Sequence, residues 1–390
     1  MNTTLKHWKE AATLILAAGR GRGFTPRAPL TGESSSGQSH LPHRSLFDYD
    51  VLLLKRSGKS GFMPNAYVFP GGVVDASDFS SEWLDIFRSF TNSPTFGLRS
   101  VKQHLETRPP IFATDRLKLG SPIPGEVALR ICALRETFEE SGVLLVAPKI
   151  EEKKMLKNIK DFGYIEHYGV NDLCSSELTK WRALVNQNPS NFIRMCRELQ
   201  VLPNIWALHE WGNWLTPASR YGTTRFDTAF FICCLQEIPH SYKMIRKLSW
   251  STPSEILQSY QAQELWIAPP QFYELSRLCR FPLLNDLHNF ASQRATAGCE
   301  QWMPVVVSND EHHISLLPGD KLYPVDSPRD SEAAKNTVPP SKDHQDASPL
   351  HRIVISDRYT LRVQITITPK YNHVLPVAHS AVSHDSKSQF

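Results

Sequence analysis

RETFEESGV, at residues 135–143, is the stretch of sequence that decides the fold. Its acidic residues Glu136, Glu139 and Glu140 stand three and four positions apart, so in a helix they share one face. Carboxylates this close repel one another unless a cation neutralises them. Hard oxygen ligands of this kind suit Mg²⁺ or Mn²⁺, with waters and substrate phosphates completing the shell. The sequence therefore predicts a divalent metal site on this helix.

The helix is predicted to run from about residue 126 to residue 141 and to end at Gly142, a residue favoured just beyond a helix. Ile131, Leu134 and Phe138 fall three and four positions apart, which predicts an apolar stripe opposite the glutamates. An amphipathic helix with a buried face and an acidic face is expected.

Arg135 precedes Glu139 by four positions and can orient that carboxylate. Taken alone, the pattern RExxEE also describes an exposed helix with a solvated acidic face, and that interpretation is then the favoured one. Upstream, however, FPGG at residues 69–72 ends a predicted strand, and glycines there allow backbone amides to approach a phosphate closely. This context favours a phosphate site.

Together, FPGG and RETFEESGV resemble the signature of the Nudix hydrolase family, G-x5-E-x7-R-E-U-x-E-E-x-G-U, where U is aliphatic. The right half matches except for Thr137, which stands where an aliphatic residue is usual. The left half is split: Gly72 begins it, Asp78 stands where the family has Glu, and residues 79–124 intervene before the helix. Asp78 and Glu126 are both candidates for the missing Glu.

The resemblance implies an α+β protein, an α/β/α sandwich of Nudix fold with a mixed β-sheet, helical insertions and a C-terminal extension. It implies metal-dependent hydrolysis of a nucleoside-diphosphate linkage. The residues it assigns are the catalytic set Arg135, Glu136, Glu139 and Glu140, of which the three glutamates hold the metal, and the diphosphate-lining pair Gly71 and Gly72.

Residues 52–72, LLLKRSGKSGFMPNAYVFPGG, resemble the additional motif of coenzyme A diphosphatases, L-L-T-x-R-S-x3-R-x3-G-x3-F-P-G-G, with the same spacing. Arg56 and Ser57 match and are implied to bind substrate, with Lys55 beside them. Gly61 replaces the motif's second Arg and Asn65 replaces its Gly. Without the resemblance, the same residues are described equally well as a buried strand with a cationic end that has no role in substrate binding.

Later segments also resemble the long, peroxisomal acyl-coenzyme A diphosphatase branch of the family, namely WGNWLTP, RFDTAFF, SWSTPSEIL and APPQ. This branch hydrolyses CoA and its esters to 3′,5′-ADP and (acyl-)4′-phosphopantetheine. The resemblance therefore implies CoA or acyl-CoA as the substrate and Mg²⁺ or Mn²⁺ as the cofactor. Another nucleoside diphosphate derivative, NADH or ADP-ribose, is the alternative.

We predict a Nudix domain over residues 10–242, with insertions at about 20–46, 79–124 and 150–200. Residues 243–390 are predicted to hold C-terminal helices, a mobile loop at 318–350 and a final strand pair. Strands are expected at 11–18, 48–57, 66–72, 143–148, 205–217 and 226–235, and helices at 254–263 and 271–280. The third strand is expected to run into a Gly-Gly loop.

Other residues have two interpretations each. Glu210 or Glu255 is a candidate general base, or an ordinary surface carboxylate. Arg225 is a candidate phosphate ligand, or a partner in a structural ion pair. Trp211 and Trp214 either stack on an adenine or pantetheine group or belong to the core.

The 390 residues are 41% hydrophobic and 21% charged, with a net charge of +4, as in ordinary globular proteins. There is no block of Lys and Arg typical of a nucleic-acid or membrane-surface binder, and no apolar stretch approaches the roughly 20 residues that span a bilayer. Seven cysteines without a CxxC pair indicate a reducing compartment. A monomer without nucleic-acid or membrane partners is expected.

Ser388-Gln389-Phe390 keeps the small, polar, bulky-apolar order of a peroxisomal signal, so a peroxisomal location and an import receptor as partner are expected. Cytoplasm or mitochondrion is the alternative.

One rival function is nucleotidyl transfer, because LAAGRGRGF at residues 16–24 is similar to a loop that cradles nucleoside triphosphates, although Gly23 stands where that loop has an arginine. A second rival is a non-enzymatic nucleotide-binding module, which has no need of three glutamates.

Overall fold

The computed structural model describes residues 8–21, 41–61, 63–93, 95–151, 175–217, 224–239, 248–308, 313–324 and 348–377. The strands in these ranges are β1 (Trp8–Gly19), β2 (Tyr49–Lys55), β3 (Tyr67–Val68), β4 (Gly71–Val73), β5 (Val146–Pro148), β6 (Val201–Pro203), β7 (His209–Leu215), β8 (Arg225–Leu235), β9 (Leu248–Ser251), β10 (Gln301–Trp302), β11 (Val305–Ser308), β12 (His313–Leu316), β13 (His351–Asp357) and β14 (Thr360–Ile365). The α-helices there are α1 (Trp83–Ile86), α2 (Pro110–Ala113), α3 (Gly125–Ser141), α4 (Ser175–Gln187), α5 (Asn191–Glu198), α6 (Pro253–Gln261), α7 (Pro269–Leu278) and α8 (Leu284–Arg294).

The central sheet is built on β1. This strand pairs in parallel with β8 along most of its length and antiparallel with β2 and β4. The full order is β10-β7-β8-β1-β2-β3, and β9 also pairs with β2. Parallel and antiparallel pairs occur together, so the predicted α+β architecture with a mixed sheet is confirmed.

The sheet is covered on both faces. Along β1, Leu14 and Leu16 belong to one apolar core, while Ile15 and Ala17 belong to the other, as the alternation of a strand requires. The first core includes the buried side chains of α3, and the second includes those of α6, α7 and α8. The sandwich of helix, sheet and helix is therefore present, and the predicted strand with two apolar faces is confirmed.

A second sheet follows in the C-terminal part of the chain. Strands β11, β12, β13 and β14 pair antiparallel in sequence order, which confirms the predicted final strand pair and adds two strands to it. Leu317, Ile353, Leu361 and Val363 join the second core, so this sheet packs on the α7 side of the molecule. Most of the predicted loop at 318–350 lies outside the described residues.

Helix α3 has the predicted buried and acidic faces: Ile131, Leu134 and Phe138 are buried, and the residues of the helix that are not fully buried are Glu126, Glu136, Glu139 and Glu140. Burial extends beyond the predicted stripe because α4 and α5 pack against the helix, with the rings of Phe138 and Phe192 centred 6.3 Å apart.

One expectation about the central region is wrong. The expected Gly-Gly loop is instead strand β4, which pairs with β1. The described parts of the predicted insertion at 79–124 contain two four-residue helices, α1 and α2, joined by turns and loops.

Within the described ranges, none of the helices is long and apolar enough to cross a bilayer. Six cysteines fall in these ranges, and all six are buried and outside any disulfide.

Candidate active site

Arg135 is the centre of the site. Its side chain is only 2% exposed, and its Nε and Nη2 groups donate to the two carboxylate oxygens of Asp78 at 2.8 and 2.9 Å. Its Nη1 group donates to Glu136 at 2.9 Å and to Glu139 at 2.8 Å. One buried guanidinium thus fixes three carboxylates, including the contact expected from the four-residue spacing.

Asp78 lies in a 3-10 helix, Ala76–Phe79, that begins with reciprocal capping bonds between Asp75 and Asp78. This turn leaves Asp78 buried beneath Arg135. Glu126, in the first turn of α3, instead pairs with Arg108. Of the two candidates for the left half of the signature, Asp78 is the one that contacts the signature arginine.

Two glycines bring the backbone of β4 against the glutamates. A Cβ atom on Gly72 would lie 2.4 Å from the carboxyl carbon of Glu136, so this position has no room for a side chain. Gly71 has φ +156°, a Cβ there would lie 2.4 Å from the carbonyl oxygen of Ala12, and its N–H donates to Glu140 at 3.0 Å. In this structure the backbone of the two glycines therefore lies close to the carboxylates of Glu136 and Glu140, which line the same site.

The surroundings of the glutamates disfavour their ionised forms. Burial raises the pKa of Glu136 to about 7; Arg135 opposes the rise, and repulsion from Glu139 and Glu140 adds to it. Glu140 is exposed at the mouth of a cavity, yet desolvation by the neighbouring protein atoms raises its pKa to about 7, although the Gly71 N–H bond opposes the rise. The pKa of Glu139 is also raised, mainly by burial. Such a site favours a bound cation.

The donor set fits a hard divalent cation such as Mg²⁺ or Mn²⁺, since it consists of carboxylate oxygens with charge to be neutralised. Within the described ranges, no three His, Cys, Asp or Glu side chains stand as a preassembled metal cluster. In this structure Arg135 holds Glu136 and Glu139, and the Gly71 amide holds Glu140.

A cavity of about 370 Å³ opens beside these residues. Its polar end is formed by Thr13, Arg56, Gly71, Gly72, Glu136 and Glu140. Ser57 is not among the lining residues; its hydroxyl accepts a bond from the Lys59 N–H in an exposed turn. Lys55 is exposed, with its ammonium 5.7 Å from the Tyr67 ring centre. Of Arg56 and Ser57, which the coenzyme A motif implies to bind substrate, Arg56 lines the cavity and Ser57 does not.

The two candidate bases lie elsewhere. Glu210 is 1% exposed and accepts a bond from Arg108 at 2.7 Å, so its interpretation as a surface carboxylate is wrong. Glu255 caps α6 with Thr252. Neither residue lines the cavity, whose described carboxylates are Glu136 and Glu140.

The remaining candidates belong to the framework. Arg225 donates to the Thr216 carbonyl at 2.8 Å and lies over the Trp8 ring, outside the cavity lining. The indole N–H groups of Trp211 and Trp214 both donate to buried Glu274, at 2.8 and 2.9 Å, which makes them core residues. Trp214 also borders the cavity.

Arg182, on α4, contributes to the site through contacts with the end of α3, a role that was not predicted from the sequence. Its Nε group donates to the Glu139 carbonyl at 2.8 Å and its Nη2 group to the Glu140 carbonyl at 2.6 Å. A cation at the C-terminal end of α3 compensates carbonyls that have no partner within the helix. No sequence pattern links residue 182 to the signature.

Some expectations are not tested by the fold. Ser388-Gln389-Phe390 lies outside the described residues, so the peroxisomal signal stays a prediction, as does the monomeric state. The proposed domain boundary at residues 242–243 also stays a prediction.

Comparison with protein families gives two matches. The profile of the NUDT19 Nudix domain matches residues 8–278, and that of the NUDT19 C-terminal domain matches residues 306–366. The first match extends from β1 to α7, and the second spans nearly all of the second sheet.

Relatives of known description match nearly the whole chain. The Xenopus laevis protein called acyl-coenzyme A diphosphatase NUDT19 is 48% identical, over 97% of this chain and 97% of that protein. The Gallus gallus protein of the same description is 44% identical, again over 97% of each. The Homo sapiens protein so described is 39% identical, over 95% of this chain and 94% of its own length.

Proposed function

The chain belongs to the NUDT19 Nudix family, and on this premise we propose that it hydrolyses the diphosphate linkage of coenzyme A and acyl-CoA esters. The products would be 3′,5′-ADP and (acyl-)4′-phosphopantetheine. The observation that carries the proposal is the single cavity in which Glu136, Glu140 and the Gly71-Gly72 backbone lie at one end and apolar walls continue beyond them. Such a cavity suits a diphosphate joined to a long organic arm.

Nudix hydrolases generally use divalent metals, and we propose Mg²⁺ or Mn²⁺ for this chain. Glu136, Glu139 and Glu140 would hold the cation. When bound, it would neutralise charge on the diphosphate oxygens and activate water at neutral pH. Arg135 keeps Glu136 and Glu139 at fixed positions, and Asp78 in turn fixes Arg135.

The reaction adds one water across the bridging P–O bond. The water oxygen bonds to one phosphorus, the bridging oxygen leaves with the other, and two phosphate monoesters result. Arg56 at the cavity lining supplies positive charge for the substrate phosphates. The backbone of β4, which has no side chain at Gly71 or Gly72, lets the diphosphate lie close to the glutamates.

The rival functions have less support. Leu16, Ala17 and Ala18 are fully buried within β1, so this part of the segment that is similar to a nucleotidyltransferase loop is core strand. A purely nucleotide-binding module would not need the buried Arg135 network that orients two glutamates. NADH and ADP-ribose remain alternative substrates, because they carry the same diphosphate group.

The test is a substrate panel of CoA, acyl-CoA, NADH, ADP-ribose, and a sugar phosphate with nucleoside triphosphate, each with Mg²⁺ or Mn²⁺. We expect 3′,5′-ADP from CoA and acyl-CoA, separated by anion-exchange chromatography. Glu198→Gln is the matched control for glutamate variants, because Glu198 is exposed and pairs with Arg194 away from the cavity. Failure to release 3′,5′-ADP from CoA and acyl-CoA would contradict the proposal, and cleavage of NADH or ADP-ribose alone would favour the alternative substrates.

A further inference from the structure

The apolar part of the cavity has a wall made by the second sheet. Val306 on β11 pairs with Ser315 on β12, and Ser315 pairs with Ile353 on β13. These cross-strand neighbours form one row on one face of the sheet. Ile355 follows two positions after Ile353 on the same face, and all four residues line the cavity.

The opposite wall comes from the Nudix sandwich. Its apolar lining includes Trp214, Leu215, Phe226 and Phe230 of the central sheet, and Pro269 and Pro270 at the start of α7. Phe69, directly before the Pro70-Gly71-Gly72 segment, has its ring centre 6.5 Å from that of Phe230. Phe69 lines the same cavity as Gly71 and Gly72, so the apolar part and the diphosphate end belong to one cavity.

The lining of the apolar part also contains a buried polar atom that has no partner in the described part of the chain. The Oε1 atom of Gln271, on α7, is buried and makes no hydrogen bond with the described part of the chain, and Gln271 lines the cavity. A buried acceptor without a partner is costly unless a ligand donates to it. An amide N–H on a bound molecule would satisfy it.

We infer that the apolar part of the cavity binds the pantetheine arm and acyl chain of a thioester substrate, with Gln271 accepting from a pantetheine amide. Val306, Ile353 and Ile355 of the second sheet then set the fit of the acyl chain. This inference rests on the proposed function and deepens it. It assigns the C-terminal sheet a direct role in substrate selection, in addition to its packing against α7.

The test compares Ile355→Trp with Val354→Trp. Ile355 faces the cavity and Val354, its neighbour in β13, points to the other face of the sheet, so both changes put the same bulk on one strand. The readout is the ratio of kcat/KM for octanoyl-CoA to that for CoA, with thermal denaturation as a check on folding. Ile355→Trp should lower this ratio about tenfold or more, since pocket fit discriminates by such factors. Val354→Trp should leave it unchanged.

A second variant covers the case in which Ile355→Trp does not fold. Ile355→Ala enlarges the cavity and should shift the preference towards longer acyl chains. Gln271→Leu should raise KM for CoA and octanoyl-CoA alike, about three- to tenfold, because both carry the amides.

The outcomes separate the two claims. If the wild-type chain releases no 3′,5′-ADP from CoA, the proposed function itself fails. If it does cleave CoA, yet folded Ile355 variants keep the wild-type chain-length ratio, the acyl-site inference is overturned while the function stands.

Discussion

Helix α3 carries a buried arginine-carboxylate network near each end, and the two differ in charge balance. Near its start, Arg108 pairs with Glu126 and Glu210, and the Arg130 guanidinium lies close by, donating to the Glu126 carbonyl. Burial alone would lower the pKa of Arg108, but Glu210 and Glu126 raise it. Two cations thus face two anions, and neither glutamate lines the cavity.

Near its C-terminal end, Arg135 faces Asp78, Glu136 and Glu139, with Glu140 beside them. Here carboxylates outnumber the arginine, and two of them open onto the cavity. A buried ion pair is thus a poor guide to function by itself. An excess of one charge at a cavity wall is the feature that distinguishes the proposed catalytic site.

The largest effect is expected from Glu140→Gln. It removes a proposed metal ligand and should lower kcat for CoA by about a hundredfold or more. Folding should persist, because the change removes repulsion from a carboxyl whose pKa is already raised to about 7. Product release and circular dichroism of the same preparation measure both. Near-normal activity would exclude Glu140 from the metal site.

Arg108→Met should act on stability instead. It leaves Glu210 buried without its cation, a change expected to cost about 3–5 kcal/mol of unfolding free energy. Urea denaturation measures this, with Arg194→Met as control, because Arg194 forms an exposed pair with Glu198 expected to contribute only about 0–1 kcal/mol. Equal losses in the two variants would show that the Arg108 network is not a structural anchor.

Gly72→Ala probes the fit between β4 and α3. The added methyl would meet the flexible end of Glu136, so the carboxylate must move while the backbone stays. A displacement of about 1 Å at a reacting group can cost about a hundredfold in rate, and we expect a loss of that order with little change in Tm. Gly212→Ala in β7 is the matched control, because a Cβ there has nothing within 4 Å. If both variants are equally active, the close packing has no catalytic role.

The smallest effect is a pH dependence of metal binding. Glu136 and Glu140 have folded-state pKa values of about 7, above the ordinary 4.5. Without metal, their contribution to stability is present below about pH 4.5 and is lost as the pH rises through about 7. Mn²⁺ must displace those protons, so its affinity should rise severalfold between pH 6 and 8. Calorimetry in buffers of different ionisation enthalpy should detect proton release at pH 6, and its absence would contradict these pKa values.

The sequence was a good guide where function depends on local spacing. Glu136, Glu139 and Glu140 lie on one helix, so their convergence follows from helical geometry alone. The long strands were equally predictable, since β1 and β8 are continuous apolar runs.

Contacts between distant residues could not be predicted. Asp78 and Glu126 were equal candidates because the choice between them depends on how residues 79–124 fold. The pairing of Arg108 with Glu210, like the docking of Arg182 on α3, joins residues separated by long stretches of chain. The short strands β9 to β12 and helix α8 were missed, because tertiary packing decides short elements more than local periodicity does.

The parallel pairing of β1 with β8 has a consequence for how the chain reaches its native state. Residue 8 lies opposite residue 225, and ten further pairs follow in register. A nascent chain exposes the apolar segment AATLILAA long before its partner has been synthesised, and contacts this distant in sequence form slowly. We therefore expect the sandwich to assemble only after β8 has left the ribosome, with β1 in need of protection from aggregation until then.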